Sequence, residues 1–559
     1  MKKRFFLLGV VSLFVLSGCD FIDRIFGKKN EPQTEEKEEK YQQEEGAKKD
    51  FKQVGEFYGG LVENKKYIGY EFSKSQSEIQ KPTSGIGNID IYAFNDFHGA
   101  VVENGSETGL ETFGSYLRSK SQNQNTLILD QGDTWQGSLE SNYDYGAIVQ
   151  DVFNYAGVSL RTVGNHDFDW GLDHLESTNN RKLGDDYIPC LAANVYDYAN
   201  KQAGSTQQIK YGKEYAIFTL DNGIKVGVVG VIGENQITSI CSRFVGNICF
   251  TNYVEKIKEI SDYLRTQKNC DIIIGSAHQA GGSFEGQGLT SISPVSHKRY
   301  TDLMVGGHAH SLQEKTENGV KLVQWDSNGR SLGSISLKYD FSTGKLVDSQ
   351  TAVNTYYRDD MMISTEIDPE ISKMMDDYFD RIELNPDEVL SNKFSGTFYD
   401  ENLAYLMTEA IYDCVKNAGI SIDFAVCNYA RTVFRGTELT YRDLYKCFPF
   451  DNEIMLMDVS SQRGLTSISY NMSYREDTSK SIHSSSTYKV AVVDYVALHQ
   501  DSEREFDYFP EAASAEVFTL SNGEAPIYRE ILKDYLKNNP TKQFNASDYT
   551  DSNVHFRLD

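Results

Sequence analysis

The sequence predicts a layered α/β protein. Two observations carry that reading: short, continuous β-branched runs alternate with polar, helix-compatible stretches from about residue 87 onward, and His, Asp and Asn fall directly behind those runs. Apolar runs without polar alternation indicate strands covered on both faces. Ligands of open α/β sheets gather beyond the carboxyl ends of such strands. At about 100 to 200 residues per domain, 559 residues imply two to four domains. With 39% hydrophobic and 24% charged residues, wholesale disorder is excluded. Acidic residues outnumber basic ones 81 to 55, a net charge of −26. That sign argues against a nucleic-acid polymer as partner, so any phosphate chemistry needs local cations.

Residues 1–18 begin with Lys2, Lys3 and Arg4, continue through the apolar run Phe5 to Leu16, and end Ser17-Gly18 before Cys19. The run is too short to span a bilayer about 30 Å thick, which makes it an export signal. Leu16-Ser17-Gly18-Cys19 resembles a bacterial lipobox, implying cleavage before Cys19 and a lipid on its sulfur. Residues 19–86 are charge-dense and read as a solvated tether, with the more aromatic Tyr58 to Tyr70 stretch able to pack on the body. Strands are expected at Ile89–Phe94, Thr126–Leu129, Lys225–Ile232, Asp271–Ile274 and Asp302–Val305, within a first domain of residues 87–355. Gly319 to Tyr339 reads as a hairpin turning at Asn328-Gly329. Helical periodicity over Asp368 to Leu384 marks a linker helix (residues 356–385), and a second α/β domain follows from 386 to 559. Seven cysteines besides Cys19 form no CxxC pair, which argues against a cysteine zinc site, although Cys241 and Cys249 are near enough in sequence to bridge a loop.

Five of the ten histidines lie immediately after strand-like runs. The segments are Asn95-Asp96-Phe97-His98, Asp130-Gln131-Gly132-Asp133, Gly164-Asn165-His166-Asp167-Phe168-Asp169, Gly275-Ser276-Ala277-His278 and Gly306-Gly307-His308-Ala309-His310. A single Asp-x-His is commonly a capped turn, whereas five such segments in order are hard to attribute to packing. Asp96, His98 and His310 suit one cation, Asn165, His278 and His308 a second, and Asp133 can bridge them. Mixed carboxylate, imidazole and amide donors suit Zn²⁺, Mn²⁺ or Co²⁺. Two such ions roughly 3.5–4 Å apart activate water and clamp both oxygens of an in-line displacement. His166 is placed to donate to the transferring phosphoryl group or the leaving oxygen.

These motifs resemble those of the calcineurin-like metallophosphoesterases, and Gly164-Asn165-His166-Asp167-Phe168-Asp169-Trp170-Gly171 is similar to the 5′-nucleotidase and UDP-sugar hydrolase branch. The resemblance covers residues 88 to 530. It implies a four-layer α/β/β/α metallophosphoesterase domain followed by a smaller nucleotide-binding domain, and it makes Asp169 the acid that orients His166. It also implies a nucleotide site in which Phe450 and Tyr495 stack on the base, with Asn452 beside the first and Asp501 at the ribose. Where the branch carries Asn-Gly-Gly-Gly-Ile-Arg, this chain has Asn428-Tyr429-Ala430-Arg431-Thr432-Val433, and a second Arg site reads Phe398-Tyr399-Asp400-Glu401. Arg431 or Arg435 would have to replace the missing phosphate contact. The implied activity is a lipid-anchored phosphohydrolase acting on extracellular nucleotides. The alternatives are a 2′,3′-cyclic nucleotide phosphodiesterase or UDP-sugar hydrolase, and a non-catalytic surface ligand-binding lipoprotein.

Overall fold

A computed structural model describes residues 57–550 apart from 65, 76, 124, 184–186, 198–211, 247, 477–482 and 502–504. The export signal, Cys19 and most of the charged tether lie outside the described residues.

Two β-sheets stack to form the first domain. One runs, in spatial order, Tyr58–Glu63, Ile68–Ser73, Tyr215–Thr219, Lys225–Ile232, Ile272–His278, Leu303–Gly306, Val320–Gln324 and Gln313–Glu317. The other runs Lys345–Leu346, Ser331–Asp340, Ile86–Phe94, Thr126–Asp130, Leu160–Thr162 and Cys190–Leu191, with Ala352–Tyr357 also paired to Ser331–Asp340. The strands behind the expected metal ligands are parallel within each sheet: Ile86–Phe94, Thr126–Asp130 and Leu160–Thr162 in the second, Ile272–His278 and Leu303–Gly306 in the first. Parallel neighbours deliver their carboxyl ends to the same edge, so the loops behind them share one rim.

Between the sheets lies a core that includes Ile89, Ile91, Leu127, Leu129, Val226, Val228, Ile272, Ile274, Leu303 and Val305, drawn from both sheets. A second core, with Phe94, Phe113, Ile128, Phe153 and Met374, binds the Leu110–Ser121, Ala147–Ala156 and Pro369–Phe379 helices to the outer face of one sheet. A third, with Val229, Ile257, Ile260, Leu264 and Ile273, seats the Tyr253–Thr266 helix on the other. The layers are therefore α/β/β/α, and the two-sided burial explains why the central strands read as unbroken apolar runs. A separate core holds the C-terminal domain, whose five-stranded sheet packs against the Asp400–Asn417 helix, on which the Tyr528–Asn538 helix packs in turn.

Three expectations need correction. The body begins at Tyr58 rather than at 87: Tyr58–Glu63 and Ile68–Ser73 pair antiparallel, and the second joins Tyr215–Thr219 at the sheet edge. Phe72 supplies the reason, since it stacks on Phe218 with centroids 5.4 Å apart inside the inter-sheet core. The Gly319–Tyr339 stretch is not one hairpin, because Val320–Gln324 and Ser331–Asp340 enter different sheets. Asn328 and Gly329 both have positive φ, 58° and 63°, yet they turn the chain from one sheet to the other. The hairpin lies one step earlier, where Asn318 (φ 51°) and Gly319 (φ 83°) join Gln313–Glu317 to Val320–Gln324. No disulfide joins Cys241 and Cys249.

Candidate metal centre

All five strand-end segments meet at the shared rim. Asp96, His98, Asp133 and His310 present ligand atoms within 4.8 Å of one another, as do Asp133, His278 and His308, so Asp133 belongs to both groups. Asn165 completes the second: its Oδ1 lies 3.1 Å from His278 Nε2 and 3.1 Å from His308 Nδ1. His310 Nε2 is 3.2 Å from Asp96 Oδ1, and His278 Nε2 is 3.2 Å from Asp133 Oδ2.

The backbone is bent hard to achieve this. Asp96, His98, Asp133, His308 and His310 adopt left-handed φ values of 50°, 49°, 53°, 75° and 51°. Such conformations cost on the order of 1–3 kcal/mol each in non-glycine residues and persist only where the surroundings enforce them. Close packing of the turns is part of that enforcement: a Cβ on Gly164 would lie 2.2 Å from Asp133 Oδ1 and 2.3 Å from Asp133 N. The glycine in Gly164-Asn165-His166-Asp167 is thus required by proximity to Asp133.

Four of the ligand candidates are oriented by a partner on the far side. His98 Nδ1 donates to the Gln136 carbonyl at 2.9 Å and His278 Nδ1 to the Gln131 carbonyl at 2.7 Å, which turns both Nε2 atoms toward the cluster. Asp96 Oδ2 accepts from Asn95 Nδ2 and from the His308 amide, while Asp133 Oδ1 accepts from the His166 amide. Their other oxygens, Asp96 Oδ1 and Asp133 Oδ2, are buried without a hydrogen-bond partner. Two orphaned carboxylate oxygens facing imidazole Nε2 atoms are a donor set that fits divalent cations. The charge balance agrees: burial would lower His278, but Asp133 and Asp96 outweigh it and push it up to about 10. The carboxylates draw positive charge into the cluster.

Asp169, three residues on, receives His166: Nδ1 and Asp169 Oδ2 are 2.7 Å apart. Burial lowers His166 to about 4, with Asp133 opposing and Arg431 reinforcing the shift, and burial raises Asp169 well above its usual range. Asp167 has another task. It accepts from the Thr134 and Gly164 amides and pairs with buried Arg161 at 3.1 Å, tying the Asp133 and Asn165 loops together. Arg161 also lies over the Trp135 ring, 3.7 Å from its centre.

From the C-terminal domain, Phe450 stacks on His166, centroids 5.4 Å apart and 25° between planes. Arg431 is exposed, its guanidinium 5.6 Å from the Phe450 ring centre. It is the arginine whose charge is felt at the cluster, lowering both His98 and His166. Tyr495 is half-buried, and burial raises its hydroxyl to about 12 with smaller contributions from Tyr508 and Asp169. Asn452 and Asp501 are engaged locally: the Asn452 carbonyl accepts from the Tyr528 amide, and Asp501 Oδ1 accepts from the Glu505 amide at 3.0 Å. The orienting carbonyls of Gln131 and Gln136, together with Arg161, escaped the sequence reading. Backbone carbonyl roles leave no side-chain signature, although Gln131 stands two residues before Asp133 and Gln136 three residues after it. His174, just beyond the third segment, stacks on Tyr145 at 3.7 Å, away from these contacts.

No family model matches the chain. Individual relatives do. A 5′-nucleotidase of Vibrio parahaemolyticus is 25% identical over 431 residues, spanning 67% of this chain and 73% of that protein. The protein named UshA from Yersinia enterocolitica is 24% identical over 529 residues, spanning 80% of this chain and 91% of its own. The chain is thus similar to 5′-nucleotidases over two thirds or more of its length. The fold matches the crystal structure of a 5′-nucleotidase precursor from Thermus thermophilus with a TM-score of 0.63 at 17% identity, over 81% of this chain and 96% of that one. Kinship and clustered ligands together make the chain a metal-dependent phosphoesterase.

Proposed function

We propose that the chain is a surface-anchored, dinuclear-metal phosphohydrolase that releases phosphate from extracellular nucleotides. The observation that carries the reading is the sharing of Asp133 between two ligand groups, with the His166–Asp169 pair beside them. Asp96, His98 and His310 would hold one ion, Asn165, His278 and His308 the other, and Asp133 both. Bound there, the ions would supply Lewis acidity, lowering the pKa of attacking water and neutralising phosphoryl oxygens.

The chain's own groups supply the rest. Asp169 fixes the tautomer of His166, whose Nε2 is left to face the reacting oxygen. An arriving phosphate brings negative charge, which favours the protonated imidazole that burial disfavours. Arg431 offers the cation for the phosphate where the branch's arginine is missing. Phe450 and Tyr495 would receive the base on their π-faces, which gives affinity without base identity. Cys19 would carry the lipid.

The test is phosphate release by a form lacking residues 1–19, loaded with Mn²⁺, Zn²⁺ or Co²⁺, from AMP, UMP, ATP, UDP-glucose and 2′,3′-cyclic AMP. Release from 5′-nucleotides that depends on both metal and His166 is the expected result. A rank order led by UDP-glucose or the cyclic nucleotide would replace the nucleotidase assignment. Absence of bound metal would leave a non-catalytic binding module. Radiolabelled palmitate incorporated by the full chain, and lost in Cys19→Ala, tests the anchor.

A further inference from the structure

Arg243 lies on the short Ser242–Val245 helix of the metal domain, where the sequence offers no motif. Its guanidinium crosses to the C-terminal domain and meets three acceptors there. Nε is 2.9 Å from Asp494 Oδ2, Nη1 is 2.5 Å from Glu453 Oε2, and Nη2 donates to the Asp451 carbonyl at 3.0 Å. The neighbouring Ser242 hydroxyl adds a bond to the Leu498 carbonyl at 2.8 Å.

The identity of those acceptors matters. Asp451 follows Phe450, and Asp494 precedes Tyr495. Asp494 is fully buried, and its second oxygen accepts from the Tyr495 amide at 2.7 Å. A single side chain of the metal domain therefore grips both segments that carry the stacking aromatics. Within the C-terminal domain, buried Arg529 shapes the first of these segments, donating to the Phe448 and Phe450 carbonyls and to Asp451 Oδ1. Arg529 determines the form of the turn. Arg243, reaching from the other domain, determines where the turn stands relative to the metal cluster, and Phe450 stands against His166.

We infer that Arg243 is a positioning residue for substrate selectivity: it registers the Phe450 and Tyr495 segments on the metal domain, favouring phosphoesters that carry a nucleobase over those that do not. The inference rests on the reading that Phe450 and Tyr495 receive the base. A planar fork that meets two carboxylates and a carbonyl at once is not reproduced by a lysine.

The experiment compares kcat/KM for AMP and for p-nitrophenyl phosphate in the metal-loaded wild type and in Arg243→Ala, Arg243→Lys and Phe450→Ala. The expected result is a fall of at least tenfold in the ratio of AMP to p-nitrophenyl phosphate in Arg243→Ala, arising mainly from a higher KM for AMP. Arg243→Lys should fall severalfold, and it carries the test if the alanine variant does not fold. A ratio unchanged in the Arg243 variants but lowered in Phe450→Ala overturns the inference and leaves the base site standing. Equal losses on both substrates overturn it too, because Arg243 would then serve the chemistry or the fold alone. A ratio unchanged in Phe450→Ala removes the base site itself, and the inference with it.

Discussion

His166 is held at Nδ1 by Asp169, and its amide is held by Asp133, so its position is set independently of its own imidazole chemistry. Replacing it with alanine deletes the proposed proton donor while sparing the proposed ligands. His166→Ala is expected to retain near-native metal content, measured by atomic emission, and to lose about 10²- to 10⁴-fold in turnover. Equal turnover would refute the role. Gly164 makes the opposite case, a residue with no chemistry whose smallness is essential. The added methyl of Gly164→Ala collides with the Asp133 backbone and carboxylate. Such overpacking costs about 1–3 kcal/mol, so this variant should lose metal content and melt earlier, whereas His166→Ala should not. Calorimetry alongside the metal assay separates them.

At the level of elements, parallel strands explain why candidate ligands scattered from residue 96 to residue 310 converge, since every strand that matters ends on one rim. The buried Arg161–Asp167 pair then fixes two of the loops to each other. Asp494, just beyond the Tyr488–Val493 strand, shows how an element end can titrate. Burial raises its carboxyl to about 6; Arg243 and hydrogen bonds from the Glu453 and Tyr495 backbone oppose the shift, and the Glu453 charge adds to it. A carboxyl with a folded pKa above its unfolded value binds more protons when folded, so its contribution to stability falls as pH rises from about 4 to about 6. Urea unfolding over that range should show the advantage of wild type over Asp494→Asn shrinking as pH rises. A constant difference would mean that Asp494 does not titrate there.

For the whole molecule, the concentration of carboxylates and strained turns at the rim couples metal occupancy to the integrity of the first domain. Chelation is expected to abolish phosphate release and to lower the thermal midpoint, and Mn²⁺, Zn²⁺ or Co²⁺ should restore both. A ligand present at a hundred times its Kd stabilises by about 2.7 kcal/mol, well within the reach of a melting experiment. The C-terminal domain has a core of its own and should respond less. Unchanged melting of the first domain on complete metal removal would show that the turns are enforced by packing alone.

How much of this was legible in the sequence depends on the range of the interaction concerned. Two-sided burial writes itself into a strand as an unbroken apolar run, and a strand end writes itself as a switch to His, Asp, Asn and Gly, so the layered fold and the order of the five site segments could be read directly. The turn at Asn328-Gly329 could be located but not interpreted, because an Asn-Gly pair reports positive φ and says nothing about which sheet the next strand joins. Tyr58 to Tyr70 could be called aromatic, but membership of the sheet depended on Phe218, some 150 residues away. Asp167 and Asp169 are both acids near His166; the resemblance pointed to Asp169 for the imidazole, and the path of the turn in three dimensions makes that contact and gives Asp167 to Arg161. Sequence by itself determined local conformation and the kind of chemistry available. Tertiary structure decided which of those groups meet, because contacts such as Arg243 with Asp494 or Gln131 with His278 exist only when distant strands and loops are brought to one rim.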